Sequence, residues 1–293
     1  MYIDQFVDYL KNEKRMSQNS LEAYKRDVVD FSKFCQEKGN DNILKISNGE
    51  IVSYLLTLKN FGKSAATINR KLASIRSLYK YFIEKGLINK NPTANIKSPK
   101  IERKEIEYLS LEEVNKLLST PDDTLKGKRD KAILELLYAT GIRVNELVAA
   151  NIEDVNLRIG FFTCPGEYGR ARIVPLGRPA REAIERYLED ARDMFVKNNR
   201  NEKALFVNYS GNRMTRQGLW KLLKTYGKKA ELEDKITPHI LRNSFAVHMV
   251  QNGADLKSLQ ELLGHEDIAA TQIYLSVTKN RIKDVYDKTH PRA

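Results

Sequence analysis

Cysteine is scarce in this chain: 293 residues include two, Cys35 and Cys164, at no ligand or redox spacing. That excludes a disulfide scaffold and a cysteine-built zinc module. No apolar run approaches the roughly 18 residues that a membrane span needs. The first residues, Met1-Tyr2-Ile3-Asp4-Gln5, lack the basic-then-apolar layout of a signal peptide. Glycine and proline number only 15 and 8, which excludes collagen-like and low-complexity chains. A hydrophobic share of 41% is too high for disorder. What is left is a folded chain, expected in the cytoplasm and off the membrane. Its length exceeds what one compact core usually takes, so two domains are expected.

What the sequence does have is positive charge. Lys and Arg number 50 against 38 Asp and Glu, a net charge of +12. The excess is concentrated. Between Lys59 and Lys104 twelve Lys and Arg face only Glu84 and Glu102, a local net of +10. A solvated helix face normally mixes signs. Clustered cations release counterions from a phosphate backbone, so nucleic acid is the expected partner. The plainer alternative is a basic face kept for solubility. Lys63, Arg70, Lys71, Arg76, Lys80, Lys100, Arg103 and Lys104 are the candidate phosphate contacts.

Residues 1–90 read as helices with one apolar stripe each. Ile3, Phe6, Val7 and Leu10 mark the first; Leu21, Tyr24, Val28, Phe31 and Phe34 mark a second, which ends at Gly39. Ser47 with Glu50 has capping-box spacing before Ile51, Tyr54, Leu55 and Leu58. A fourth stripe holds Ile68, Leu72, Ile75, Tyr79 and Phe82, with Lys63, Arg70, Arg76 and Lys80 on other faces. The pattern then lapses through Asn91-Pro92 and Ser98-Pro99. The expected division is therefore a helical DNA-clamping domain over 1–90, a linker over 91–108 and a second domain over 109–293. In the second domain, Phe161-Phe162-Thr163-Cys164 and Arg172-Ile173-Val174-Pro175 flank a glycine-containing turn and read as a β-hairpin. Helices are expected at about 179–197 and 215–230, with a short strand at Leu205-Phe206-Val207.

The chemistry-bearing residues cluster in that second domain. Thr237-Pro238-His239-Ile240-Leu241-Arg242 starts a helix, with Thr as N-cap and Pro in the first turn. His239 and Arg242, three apart, share a face near the positive helix end, which suits an anion. His248 falls on the opposite face and reads as structural. Gly264 stops a helix that Asp255 starts, and His265 stands just beyond that stop. Asp267 can cap the next helix, which carries Tyr274. Gly141 ends another helix before Arg143, and Arg143 with Glu146 is again an i, i+3 pair. Such a pair is either a surface ion pair worth about 0–1 kcal/mol or a carboxylate orienting a phosphate-binding arginine.

Taken together, Arg143 in ATGIRVNEL, His239 and Arg242 in HILRNSFA, and His265 and Tyr274 in LLGHEDIAATQIY resemble the tyrosine recombinase (phage integrase) family, in its order and spacing across the second domain. IVPLG after the hairpin and the terminal His290-Pro291-Arg292-Ala293 look most like its Xer-type members. The resemblance implies a mainly α fold: an N-terminal four-helix, SAM-like core-binding domain plus a mixed α+β catalytic domain with a small antiparallel sheet. It implies site-specific strand exchange on double-stranded DNA through a 3′-phosphotyrosyl intermediate, with no metal and no cofactor, serving chromosome dimer resolution or mobile-element integration and excision. Tyr274 is the implied nucleophile. Arg143 and Arg242 would neutralise the pentacoordinate phosphorus, His239 would assist the tyrosine proton or hold an oxygen, and His265 would donate to another oxygen. Glu146 would orient Arg143. The segment after Tyr274 would dock on a neighbouring protomer, in a homo- or hetero-tetramer on DNA.

The sequence also departs from the family pattern. Aligned without gaps, the hairpin position that usually carries a lysine holds Glu167 in Gly166-Glu167-Tyr168-Gly169-Arg170. A carboxylate beside a phosphate repels it. Arg170 is a possible electrostatic stand-in, but its very high pKa makes it a poor proton donor. Slow cleavage, or activation by a partner, is the expected consequence. Asn243 stands where the family often has His, and a small effect is expected there. The alternative function is a catalytically weak, recombinase-derived DNA-binding protein that supports a partner. A type IB topoisomerase shares the chemistry but not this layout.

Overall fold

The computed structural model describes residues 2–100, 105–165, 171–265 and 267–278, with residues 276–278 described for the backbone alone. The chain divides into two compact units, Met1–Lys104 and Glu105–Ala293.

The first unit is four helices, α1 (Tyr2–Asn12), α2 (Gln18–Glu37), α3 (Asn48–Asn60) and α4 (Ala65–Glu84). Each of the last three begins with serine. Ser17, Ser47 and Ser64 accept from the backbone N–H three residues on, and Ser47 with Glu50 closes a full capping box. Phe6, Val28, Phe31, Ile51, Leu72, Ile75, Tyr79 and Phe82 are fully buried in one core, as their helical spacing predicts. Asp27 is buried between α2 and α4, where it meets Arg70, the Ser74 hydroxyl (2.9 Å) and Lys71 (3.2 Å). Lys71 also reaches Asp30 at 2.7 Å. Lys71 was expected among the phosphate-facing cations. It is instead buried, because two carboxylates of α2 draw its ammonium inward. Arg76 is turned onto the following segment, donating to Ser98 Oγ (3.0 Å) and the Ile96 carbonyl. Lys63, Lys80 and Lys100 are exposed.

The second unit contains α5 (Leu111–Leu118), α6 (Leu125–Thr140), α7 (Val144–Ala149), a three-stranded antiparallel sheet in the order β1 (Val155–Asn156), β2 (Phe161–Cys164), β3 (Arg172–Pro175), then α8 (Arg178–Tyr187), α9 (Asp193–Phe195), α10 (Arg216–Lys229), α11 (Pro238–Gln251), α12 (Leu256–Leu263) and α13 (Ala269–Gln272). The expected hairpin is the β2–β3 pair, in register Phe162↔Val174 and Cys164↔Arg172. One expectation needs correction. Leu205-Phe206-Val207 forms no strand: isolated bridges stand at Ala204 (to Asn151) and Val207 (to Arg213), Leu205 N donates to the Ala150 carbonyl (2.9 Å), and Arg129 donates to the Val207 carbonyl (3.1 Å). The helix expected over 179–197 is present from Arg178 to Phe195, with a π turn at Leu188–Arg192 within it. α6 lies at the centre of the core, with Ala132, Ile133, Leu134 and Leu136 fully buried.

Candidate active site

Two helix ends build the frame of the site. α6 ends at Gly141 (φ +57°) and α12 at Gly264 (φ +62°), both in the left-handed region that glycine adopts without steric cost. A Cβ on Gly141 would lie 2.5 Å from the Phe245 ring, so the close approach of α6 to α11 also requires glycine there. Arg143 and His265 follow these stops by one or two residues, and so they emerge where the chain has just left a helix.

Three arginines from three different elements converge on the end of α12. Arg172 Nε donates to the Leu262 carbonyl (2.7 Å), Arg242 Nη2 to Leu263 (2.7 Å) and Arg143 Nη2 to Gly264 (2.7 Å). Arg242 Nη1 also donates to the carbonyl of Gly141 at 2.5 Å. The physical reason is the helix terminus: the last carbonyls of an α-helix lack intrahelical donors and carry its negative partial charge. Helix α11 delivers Arg242 from its buried side, behind the Thr237 cap, whose hydroxyl accepts from Ile240 N at 3.1 Å.

Glu146 organises two of the three cations. Its Oε2 accepts from the Arg143 backbone N–H (2.7 Å) and Arg172 Nη2 (2.9 Å); its Oε1 accepts from Arg143 Nη1 (3.0 Å) and Arg172 Nη1 (2.5 Å). Burial raises the pKa of the Glu146 carboxyl, but the hydrogen bonds from Arg172 and from the Arg143 backbone outweigh this, and it stays below the usual carboxylate value. The surface-ion-pair alternative for Arg143–Glu146 is therefore set aside: Glu146 is 7% exposed and fully satisfied.

The remaining cation is left with charge to spare. Arg242 is 6% exposed, and its hydrogen bonds go to neutral carbonyls. Burial, and then the charge of Arg143, push its pKa down to about 10. His265 is pushed down to about 4 by burial and by Arg242, Arg143 and Arg172, so it is neutral at pH 7. Its Nδ1 lies 2.8 Å from Thr271 Oγ1. With Thr271 donating to Nδ1, Nε2 carries the proton and is the outward donor. His239 is exposed at the start of α11 and adds to the positive field felt by His265.

Tyr274 is buried close enough to Arg242 for each to act on the other's charge. It is 2% exposed, packed with Phe245, Ala246, Val247, Leu259 and Leu263, and its hydroxyl donates to Asn243 Oδ1 at 3.1 Å. Burial raises the phenol pKa, and Arg242 acts in the opposite sense. Asn243 was expected merely to neighbour the site. It is instead the tyrosine's hydrogen-bond partner, and its amide is anchored by donation to the Glu107 carbonyl (3.0 Å). His248 is structural, 2.9 Å from the Tyr138 hydroxyl and edge-on to the Tyr108 and Tyr138 rings. Glu167, Arg170, Arg103, Lys104 and the segment 279–293 lie outside the described residues.

Sequence reasoning missed Arg172 and Thr271 as parts of the cluster. The signal for Arg172 was present: in a strand, residues two apart share a face, and Arg172 shares one with the buried Val174. A cation on an inward strand face needs a buried partner. Thr271 carried no comparable signal. Among the described residues no group of three or more His, Cys, Asp or Glu is placed to hold a metal ion. No helix there is long and apolar enough to cross a membrane.

A helical bundle followed by a helical domain with a small antiparallel sheet is an architecture shared with enzymes that cleave and rejoin DNA. Two family models match the chain: the phage integrase family over residues 107–281, and the phage integrase N-terminal SAM-like domain over residues 3–86. The chain belongs to the phage integrase, or tyrosine recombinase, family, whose members cleave and rejoin DNA strands. Among relatives it is 45% identical over 292 residues to the tyrosine recombinase XerD of Oceanobacillus iheyensis, covering 99% of this chain and 98% of the relative. Among solved structures it resembles the XerA recombinase (26% identity, TM-score 0.56, 100% and 99% coverage). The fold is shared with the XerH recombinase bound to its difH substrate after cleavage (22% identity, TM-score 0.77, 97% and 83% coverage).

Proposed function

We propose that this chain performs site-specific recombination on double-stranded DNA with Tyr274 as nucleophile, Arg143 and Arg242 as phosphate ligands, His265 as a donor to a phosphate oxygen and His239 as the group that assists the tyrosine proton. The observation that carries this assignment is the set of arginines at the end of α12. A buried guanidinium that among the described residues is held by carbonyls alone retains a charge that a phosphate can neutralise. In the reaction the phenol oxygen bonds to phosphorus, the bond to the 5′-oxygen breaks, the phenol proton leaves and the 5′-oxygen takes one up. The 3′-phosphotyrosine conserves the ester, so rejoining needs no added energy source. The arginines stabilise the extra negative charge of the transition state in a site already arranged for it.

The burial of Tyr274 adds a condition. A phenol bonded to Asn243 and sealed among Phe245, Leu259 and Leu263 has to leave that pocket before it reaches phosphorus. The resting chain is therefore read as an enzyme awaiting DNA or a partner. The exposed Lys63, Lys80 and Lys100 of the first unit, with Arg70, Arg76, Arg103 and Lys104, are the proposed phosphate contacts, Lys71 being committed to the interior. The segment after Tyr274 is proposed to dock on a neighbouring protomer in a tetramer on DNA. Glu167 at the lysine position is proposed to slow departure of the 5′-oxygen.

The test is a covalent adduct assay on a duplex that the wild-type protein selects from a randomised pool, nicked in its central spacer to trap the intermediate. Wild type gives a protein–DNA adduct and Tyr274→Phe gives none, while Glu167→Lys accelerates it. A wild type that binds the duplex but never forms an adduct leaves only the DNA-binding alternative.

A further inference from the structure

We propose that Arg172 is a positioning residue for the strand-cleavage chemistry, holding Glu146 and the end of α12 so that Arg143 and His265 are presented to the scissile phosphate. The proposal rests on the function just assigned to the site.

From β3, Arg172 bonds to both oxygens of Glu146 at the start of α7 and to the Leu262 carbonyl at the end of α12. One guanidinium thereby fixes the two segments that carry Arg143 and His265. Its own charge is not on offer to DNA, since its side chain is 13% exposed against 45% for Arg143. Burial disfavours its charged form, yet the hydrogen bonds to Glu146 raise its pKa overall.

Competition for Glu146 gives the arrangement its consequence. Each carboxylate oxygen accepts one bond from Arg143 and one from Arg172. Arg143 thus places one side-chain nitrogen on Glu146 and one on the Gly264 carbonyl. Of its five N–H donors, about three remain for a phosphate. Without Arg172, the freed lone pairs of Glu146 are open to a second donor from Arg143, which would turn that side chain away from substrate. Leu262 O would also lose its donor, and the turn that carries His265 would loosen. Lysine cannot substitute fully. Only a planar fork spans two carboxylate oxygens while a third N–H reaches a carbonyl. Gly264 fits the same picture, since a Cβ there would lie 2.9 Å from Arg172 Nη1.

The experiment uses the full chain as wild type, Arg172→Lys, Arg172→Gln, Glu146→Gln and the Arg172→Gln/Glu146→Gln double variant. Binding to the selected duplex, the single-turnover rate of adduct formation on its nicked form and the melting temperature are measured for each. Arg172→Gln is expected to bind within about twofold of wild type and to form adduct at least about tenfold more slowly. Arg172→Lys is expected to recover part of that rate, remaining about three- to fivefold slow. Because the two residues share the Arg172–Glu146 contact, their losses should not multiply, and the double variant should be slower than the slower single variant by no more than about threefold. The proposal is overturned if Arg172→Gln cleaves within about twofold of wild type, if binding falls as far as cleavage, or if the two losses multiply. Should Arg172→Gln fail to fold, Arg172→Lys decides, and a wild-type rate there overturns the proposal. Absence of adduct from wild type is a different result, which removes the function assigned to Tyr274 and leaves Arg172 without a reaction to serve.

Discussion

Arg129 and Arg242 are both buried arginines of the second unit, 4% and 6% exposed, and they are held in opposite ways. Arg129 places Nε and Nη2 on Asp130 Oδ1 at 2.9 and 2.7 Å, donates to the Val207 carbonyl at 3.1 Å and lies over the rings of Phe195 and Tyr209. Asp130 in turn accepts from the Tyr226 hydroxyl at 2.9 Å. Charge there is closed on itself. Arg242 meets the carbonyls of Gly141 and Leu263, with Arg143 near enough to lower its pKa. A structural arginine is thereby distinguished from a substrate-binding one: burial is common to both, and among the described residues only the first has a carboxylate of its own. The Asp27, Asp30 and Lys71 cluster of the first unit belongs with Arg129.

The sharpest way to break this comparison is to remove each cation in turn. Arg242→Gln should lower the rate of adduct formation by about 10² to 10³ or more, while its urea midpoint stays near that of wild type. Arg129→Met should cost about 3–5 kcal/mol, because Asp130 is left buried without its cation. Equal losses of stability in the two variants would erase the distinction. A smaller effect comes from supplying an anion. Sulfate at tenfold its dissociation constant should stabilise wild type by about 1.4 kcal/mol, against sodium chloride of equal ionic strength, and Arg242→Gln should not respond.

Asn243→Ala tests the resting position of the nucleophile. Loss of the Tyr274 hydrogen bond should cost about 0.5–1.5 kcal/mol in denaturant unfolding. Adduct formation should nevertheless rise about two- to fivefold, since the phenol leaves its pocket more readily; a slower reaction would mean that Asn243 aids catalysis directly. A further test is of pH. His265 has a folded-state pKa of about 4, below the ordinary imidazole value of about 6.5. The unfolded chain therefore takes up the proton first, and stability falls as pH drops from about 6.5 towards 4. His248, lowered mainly by burial, acts in the same sense. His265→Gln should flatten part of that slope in a melting series, and an unchanged slope would place the effect elsewhere.

Much of this was legible from local pattern. The four helices of the first unit, their serine caps and their apolar stripes follow from 3.6-residue spacing, which depends only on near neighbours. Gly141 and Gly264 as helix stops, and the β2–β3 pairing, follow from equally short-range signals. Leu205-Phe206-Val207 misled because a β-rich run needs a partner strand, and here Leu205 and Phe206 make single backbone bonds to Ala150 and Met214 while Val207 is served by the Tyr187 hydroxyl and Arg129. Lys71 misled because a cation at a basic helix face looks the same in sequence whether it meets solvent or Asp27 and Asp30 on another helix.

By itself, then, the order of residues determined where helices start and stop, which faces are apolar and which family the second domain resembles, since each is set within a few residues or by side-chain type. Only tertiary structure decided which charges are neutralised. Arg172 shares Glu146 with Arg143 across strand and helix, three carbonyls of α12 each receive an arginine from a different element, and Tyr274 rests on Asn243 from another helix. Electrostatic energy depends on distance through space and on exclusion of water, and neither is written in sequence separation.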